Sequence, residues 1–477
     1  MVGTAQVPRS HLLHALRGVG LELLSASILS DDEKAAINRL SAKVRTDARA
    51  LDQLDAYFQG EQRLRHIGLM VPPELRDFVT IINVPGMAVT EPTIRQRIKA
   101  FYRAGDSTRP DGALAEAWEA NNLASEAPLL AQEKKVFGRA FITVGANEDD
   151  PERPLVRVEE PRQIGHTVDS RRRRLTEVLR LYRDDATKTT KATLYLPDST
   201  VHVVRDRAGW QVEDRDDHGL GVVPVVLCLH RRRGGRWDGR SEMAEVIPLT
   251  DAIARMVTNM GVGAEAHAMP SYAITGAAKG DFVDRDGNSI PVWESYMTSI
   301  KALTNDNAKV WQIQPGDLKN FTDAVNNMLA WCAAMLGLPT RYAGQQTVNP
   351  AAEGAIRADE SRLVGRVEAM NRIDGDEWSW AMGLEERFRT GEWGSPNSIR
   401  ALWHDPATMT TAQTADAAVK IRQVGALSVE GVWDMLGWDE ARKLQERDRI
   451  AAESVLDPIV AATRNLAAGT GNAPVGG

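Results

Sequence analysis

Two amphipathic helical patterns of matched length bracket a short insert, and no other feature constrains the fold of this chain as strongly. Pro248 suits the first turn of a helix, and Leu249, Ile253, Met256 and Met260 then recur at helical spacing. Between Asp317 and Leu336 the same spacing places Leu318, Phe321, Val325, Met328, Cys332 and Met335 on one side. Each helix would be about 30 Å long at about 1.5 Å per residue. Residues 269–315, between them, suggest short strands around the turn Asp284-Arg285-Asp286-Gly287-Asn288-Ser289, then Val310-Trp311-Gln312-Ile313. The second helix stops at Gly337-Leu338-Pro339. A polar segment, Thr340 to Pro350, leads into a further long helical pattern from Ala351 to about Arg389. That segment is too long for a tight helical hairpin and too polar for a core. It displays Arg341, Tyr342, Gln345, Gln346 and Asn349 from a base held by helices at both ends.

Composition is ordinary for a soluble globular chain: 477 residues, 43% hydrophobic and 26% charged. The length allows several domains. No apolar run is long enough to predict a transmembrane helix, and no secretory signal pattern opens the sequence. A net charge of -7 disfavours a protein that grips nucleic acid nonspecifically. It leaves room for one that lets a duplex pass. Cys228 and Cys332 sit in apolar segments and are expected as buried thiols, with neither a disulfide nor a metal framework. Twelve tryptophans against eight phenylalanines are read as core and interface packing.

Along the chain, Ser30-Asp31-Asp32-Glu33 is a capping-box signal for a helix to Phe58, with Gly60 as its stop. Phe78 to Val84, broken by Pro85-Gly86, suggests a strand and turn. Glu91–Tyr102 and Gly112–Ala140 suggest helices, and Phe141–Gly145 a strand. From 155 to 230 the period changes to two. Strands are expected at 155–158, 175–182, 192–196, 201–204 and 222–229, joined as an antiparallel meander. Residues 1–240 are therefore expected to form a mixed α+β domain. A strand at Ser398–Trp403 and helices from Thr410 follow, one opened by Ser428 or Val429 and closed by Gly437. The tail from Ala467 is Gly/Ala-rich and expected to be disordered.

The sequence holds no complete catalytic or cofactor motif. Gly261-Val262-Gly263-Ala264-Glu265-Ala266 loosely fits a dinucleotide fingerprint but ends a helix, where that motif must open one. Gly276 to Gly280 lacks the spacing of a phosphate loop, and Gly239-Arg240-Ser241-Glu242-Met243 lacks the second glycine of a nucleophile elbow. Asp284, Asp286 and Asn288 fit a hairpin turn better than a calcium loop. His11 and His14 lack a third ligand. No catalytic residue, metal site or cofactor is assigned. Two basic runs, Arg171–Arg174 and Arg231-Arg232-Arg233 with Arg236 and Arg240, suit phosphate, an acidic neighbouring subunit or a solvated turn.

The order of these parts resembles the portal proteins of tailed bacteriophages, in particular the siphophage group. Tyr57-Phe58-Gln59-Gly60, Trp118-Glu119-Ala120-Asn121-Asn122 and Val136-Phe137-Gly138-Arg139-Ala140-Phe141 carry the resemblance in the first half. Val223-Pro224-Val225-Val226, Gly239 to Met243, Leu336-Gly337-Leu338-Pro339 and Asn349-Pro350-Ala351-Ala352-Glu353-Gly354-Ala355 continue it to about residue 440. Serine is frequent in the family where Ala351 or Ala352 stands here.

The resemblance implies an α+β portal fold with a mixed α/β wing, a two-helix stem, a small α/β clip and a helical C-terminal crown, assembled as a ring. The wing would take residues 1–240 and, with the long helix, 351–405. The stem would take 241–268 and 316–337, the clip 269–315, the tunnel loop 338–350 and the crown 406–477. The implied function is the ring-shaped channel, typically a dodecamer, at a capsid vertex of the virion, formed in the host cytoplasm. Double-stranded viral DNA would be packaged and ejected through it. The implied partners are further copies of the chain, the terminase large subunit, the head-tail adaptor, and the major capsid and scaffolding proteins, with no membrane. Arg341, Tyr342, Gln345, Gln346 and Asn349 are expected to face the channel. Lys279, Asp284, Arg285, Asp286 and Asn288 are expected at the clip partner interface. An enzyme acting on nucleic acid within 1–240, or a monomeric helical adaptor, are the alternatives.

Overall fold

Helix α1, Asp31–Gln59, begins where its capping box predicts: the Ser30 hydroxyl accepts from Glu33 N, and the Glu33 carboxylate accepts from Ser30 N at 2.8 Å. The pair satisfies two donors that a bare helix end leaves orphaned. Gly60 closes the helix at φ 76. In the computed structural model the described residues are 29–64, 79–105, 110–147, 149–150, 152–268, 272–276, 307, 309–312, 318–344, 353–394, 398–407, 411–438 and 440–456. The tail from Ala467 lies outside them.

The region after Gly60 departs from expectation. The expected strand and turn before Pro85-Gly86 gives way to a helix start: Val84–Thr93 is α2. Asn83 Oδ1 accepts from Gly86 N at 2.8 Å, and Pro85 occupies the first turn, where its missing N–H costs nothing. The helix expected over 91–102 ends with α2. Ile98–Arg103 is instead strand β1, antiparallel to a strand at Ile399–Trp403. The helix expected over 112–140 is two, α3 (Gly112–Ala120) and α4 (Leu123–Phe137), broken at Asn122, whose φ is 51.

The expected meander is partly right. Five strands form one antiparallel sheet in sequence order: β4 (Ile164–Asp169), β5 (Arg174–Arg183), β6 (Thr190–Tyr195), β7 (Thr200–Arg205) and β8 (Trp210–Asp216). Strands β4 and β8 are additional to those the sequence pattern predicts. The outer segments, β3 (Leu155–Glu159) and β9 (Val225–Leu229), leave this sheet and flank β2 (Arg139–Gly145) on both edges. The reason is burial: Ala140 to Val144 are all buried, so β2 needs a ladder partner on each side. Helix α1 covers one face of the five-stranded sheet, packing Ile37 and Leu40 against Leu179, Leu194, Val201 and Val203. It lies so close at Gly165 that a Cβ there would meet Leu40 O at 2.7 Å. Phe141 and Val225 meet Ile164, Val178 and Tyr195 and join the two sheets.

The bracketing helices are α5 (Ile247–Ala268) and α6 (Lys319–Leu336). Thr322 meets Met260, and Leu318 lies beside Gly263, so they pack antiparallel. The fingerprint-like Gly261–Ala266 lies inside α5. The insert starts and finishes as one ladder: β10 (Tyr272–Thr275) pairs antiparallel with β11 (Lys309–Gln312). The long helical pattern is α7, Glu353–Thr390, and the strand that follows it, β12, is Ile399–Trp403. Trp378 of α7 is 1% exposed within the largest core cluster, edge-on to Trp118 with ring centroids 5.0 Å apart. Cys228 and Cys332 are free and buried, as expected.

The chain divides at Pro406/Ala407 into two compact units. The second holds α8 (Thr411–Gln423), α9 (Val429–Met435), capped by Ser428, and α10 (Glu440–Leu456). Trp433 and Trp438 stack with centroids 5.8 Å apart, and Lys443 bonds Asp434 at 2.7 Å.

Candidate nucleic-acid interface

The displayed segment begins at a sharp helix stop. Gly337 takes φ 64, its N–H bonds Ala334 O, and Leu338 N bonds Ala333 O at 2.9 Å. These bonds satisfy carbonyls that the end of α6 would otherwise leave open. Leu338 is buried with Cys332, Ala333 and Leu336 of α6, Val246 and Ile253, Val84 and Ala88 of α2, and Leu363 and Val367 of α7. Thr340–Ala343 is then one turn of 3-10 helix.

Arg341 and Tyr342 fold back from this turn onto α7. Arg341 donates to Glu360 Oε1 and lies 3.6 Å from Asp359 Oδ2. The Tyr342 hydroxyl donates to Glu360 Oε1 at 3.1 Å and accepts from Arg95 Nη2 at 2.9 Å. Arg95 also donates to Pro406 O at 2.9 Å and stands 3.7 Å from Glu360 Oε2. Glu360 is 7% exposed, whereas the Arg341 side chain is 34% exposed. Two of the five expected channel-facing residues thus share one buried carboxylate. Gln345, Gln346 and Asn349, together with Lys279, Asp284, Arg285, Asp286 and Asn288 of the insert, lie outside the described residues.

Glu360 is the first of a line of charged groups on the buried face of α7. One level on, Arg366 bonds Glu242, whose other oxygen meets His230 Nε2 at 2.6 Å. Burial pushes the Glu242 carboxyl up, but the His230 hydrogen bond and Arg366 outweigh it and hold it below the ordinary value. Burial lowers His230 despite Glu242, helped by Lys135 and Lys134. Further along, Lys134 bonds Asp374 at 2.6 Å and Glu377 at 2.5 Å. Gln96 bridges Asn371 and Asp374 at 3.0 and 2.7 Å and accepts from Lys135. Burial raises Glu377 to about 7 against the pull of Lys134, and lowers Lys135 to about 8. The chain segments that meet here are far apart in sequence: the Glu360 end touches the turn after α6, and the Glu377 end touches Lys134 of α4 and Leu229 N of β9.

Chemically, this arrangement holds shape. His230 and Glu242 form a pair, yet both are buried and Arg366 closes it. Among the described residues no group of His, Cys, Asp and Glu is placed to hold a metal ion, and no helix is long and apolar enough to cross a membrane. The basic run at 231–240 is largely engaged locally: Arg231 and Arg240 pair with Glu245, and Arg232 lies over the Trp237 ring. Arg171–Arg174 are exposed on the β4–β5 turn, with Asp169 accepting from Arg171 N and Arg172 N.

The family model described as "Phage portal protein, SPP1 Gp6-like" matches residues 96–455. The chain belongs to the phage portal protein family. The portal protein of Mycobacterium phage D29 is 33% identical over 410 residues, covering 84% of this chain and 83% of that protein. The portal protein of Mycobacterium phage L5 is 34% identical over 376 residues, 77% of each. Among solved structures, a chain in the neck of an empty gene transfer agent particle matches with a TM-score of 0.48 and 13% identity, covering 82% of this chain and 94% of that one. A native gene transfer agent particle neck matches at a TM-score of 0.44 and 11% identity, with the same coverages. Portal proteins are structural rather than catalytic. The matched span includes α5, α6, the turn at Arg341 and all of α7.

The sequence missed Glu360, Arg95, Glu242, His230 and Arg366 as members of the site. One signal was available: Glu360, Asn371 and Asp374 stand at helical spacing with Leu363, Val367 and Trp378, so polar groups interrupt a buried stripe of a portal helix.

Proposed function

We propose that this portal chain closes into a ring, without catalysis, whose central channel conducts double-stranded DNA into and out of the capsid. The ring sits at a capsid vertex of the virion, after assembly in the host cytoplasm. The observation that carries this reading is the family match over 96–455 together with the antiparallel pair α5 and α6. On α6, Trp331 and Met335 are 57% and 46% exposed one helical turn apart. An apolar patch on a helix that already has an intramolecular partner is suited to a neighbouring copy.

Residues 241–268 and 316–337 act as the stem, and 269–315 as the clip that docks terminase and later the head-tail adaptor. Residues 1–240 and 351–405 act as the wing, and 406–477 as the crown. The β10–β11 ladder supports this division by bringing the two ends of the insert together, as a module on a two-helix stalk requires. The boundary at Pro406/Ala407 agrees with a separate crown. Residues 338–350 form the tunnel loop, with Arg341, Tyr342, Gln345, Gln346 and Asn349 towards DNA. Weak repeated contacts suit a channel: gripping six to ten phosphates would make affinity change by roughly 10³–10⁵ over a modest salt range.

Deletion of Lys279 to Ile290 tests the assignment. It should abolish terminase docking and impair ring formation while 1–240 keeps its thermal transition. A deletion variant that still docks terminase normally contradicts the clip assignment.

A further inference from the structure

Arg341 is the one cation in the 338–350 segment, and its guanidinium is held on Glu360. Were Glu360 bound to Arg341 alone, a phosphate that captured Arg341 would leave a carboxylate of 7% exposure uncompensated, a heavy penalty. Arg95 removes that obstacle. It stands 3.7 Å from Glu360 Oε2, its side chain is 11% exposed, and Pro406 O and the Tyr342 hydroxyl fix it from two further sides. Tyr342 bridges Arg95 and Glu360, accepting from the first and donating to the second. Glu360 therefore keeps a counter-ion and a hydrogen bond when Arg341 departs. Arg341 has the exposure to leave, at 34%, and a flexible aliphatic stem.

We propose that Glu360, backed by Arg95, is a positioning residue that competes with DNA phosphate for Arg341, so that each Arg341 exchanges between a protein carboxylate and the passing duplex. The inference rests on the reading of 338–350 as a channel loop. Its consequence is an attenuated contact. Phosphate gains Arg341 only by displacing Glu360, so no subunit holds the duplex with a fully free guanidinium. Glu360 and Arg95 act on DNA through Arg341 and touch no phosphate themselves.

The test is short duplex DNA binding to the assembled ring, measured across a salt series, with ring integrity followed by negative-stain images. Glu360→Gln should tighten binding and steepen the slope of log K against log salt by about 0.9 for each Arg341 newly on a phosphate. Arg95→Met should weaken binding, because Glu360 then loses the cation 3.7 Å from its Oε2 and releases Arg341 less readily. Opposite signs are the signature, since a merely structural role would move both variants the same way. Arg341→Ala in the Glu360→Gln background should erase the gain. If Arg341→Ala changes DNA binding but Glu360→Gln and Arg95→Met do not diverge, the exchange is wrong and the channel loop stands. If Arg341→Ala has no effect in either background, the channel-loop reading fails, and the exchange with it. Should Glu360→Gln rings fall apart, Arg95→Met against Arg341→Ala decides: an Arg95→Met ring that binds DNA as well as wild type, where Arg341→Ala does not, overturns the proposal.

Discussion

Single buried groups set how this chain responds to pH. His166 is 4% exposed and edge-on to Phe141. Burial, with Lys43 and Arg139 nearby, lowers it to about 3. A depressed imidazole means that the unfolded chain takes up a proton the folded chain refuses. This contribution is therefore intact above about 6.5 and is lost as pH falls from there towards 3. By pH 5 the loss amounts to about 2 kcal/mol. Glu133 and Glu377, both raised to about 7 chiefly by burial, act in the other direction and favour the fold as pH falls from about 7 to 4.5. The two effects separate in a comparison: urea unfolding of wild type and His166→Gln between pH 7 and 5 should give a variant with a smaller loss on acidification. Parallel curves would remove His166 from the account. The Glu242 cluster predicts a larger effect at constant pH. Glu242→Ala strands Arg366 and breaks a buried pair, costing about 3–5 kcal/mol in equilibrium unfolding, whereas Glu385→Gln should cost less, because the amide oxygen that remains can still accept from Arg389.

At the level of elements, what the sequence made legible was whatever is encoded locally. The capping box at Ser30, the two bracketing helices, the glycine stop at 337 and the long α7 all follow from spacing and end signals. So does the rise of Tyr272–Thr275 and Lys309–Gln312 as strands of the insert. Elements that distant chain decides are not encoded locally. Ile98–Arg103 is a strand because β12 lies beside it, and 155–159 and 225–229 leave the meander because β2 is buried on both edges. The helix from Val84 was hidden by Pro85-Gly86, a pair that signals a turn unless an Asn cap precedes it. The expected site was partly legible for the same reason. Arg341 and Tyr342 stand out as polar residues after a helix stop, but their partners Glu360 and Arg95 come from other elements. Gly239 gives an element-scale prediction. A Cβ there would lie 1.7 Å from Gly138 O, the carbonyl that accepts from His230 N at 2.9 Å, while Arg240 N bonds His230 O. Gly239→Ala must therefore push apart the end of α4 and the lead-in to α5. The expected result is a loss of about 3 kcal/mol or more, seen in unfolding midpoint. Gly261→Ala, with open space around it inside α5, should be neutral or stabilising by up to about 1 kcal/mol.

For the whole molecule, the central claim is that the monomer is an unfinished object. The family match, the antiparallel stalk of α5 and α6 and the exposed Trp331 and Met335 all point to surfaces completed by neighbouring copies. Trp331→Glu should leave monomer stability within about 0.5 kcal/mol, as for an exposed site, yet shift the protein from large assemblies to monomer in a sedimentation experiment. An unchanged assembly would place the subunit contact elsewhere on the chain. The net charge of -7 fits the proposed channel: a ring of acidic subunits would repel a duplex on the whole and meet it through a few local cations. The most direct measurement is the mass and image of the purified chain. The account predicts closed rings of about a dozen copies, as closed cyclic symmetry allows, with a central hole wide enough for duplex DNA. A ring one copy larger or smaller keeps the fold and the claim. A protein that stays monomeric at all concentrations, or assembles without a central channel, contradicts it.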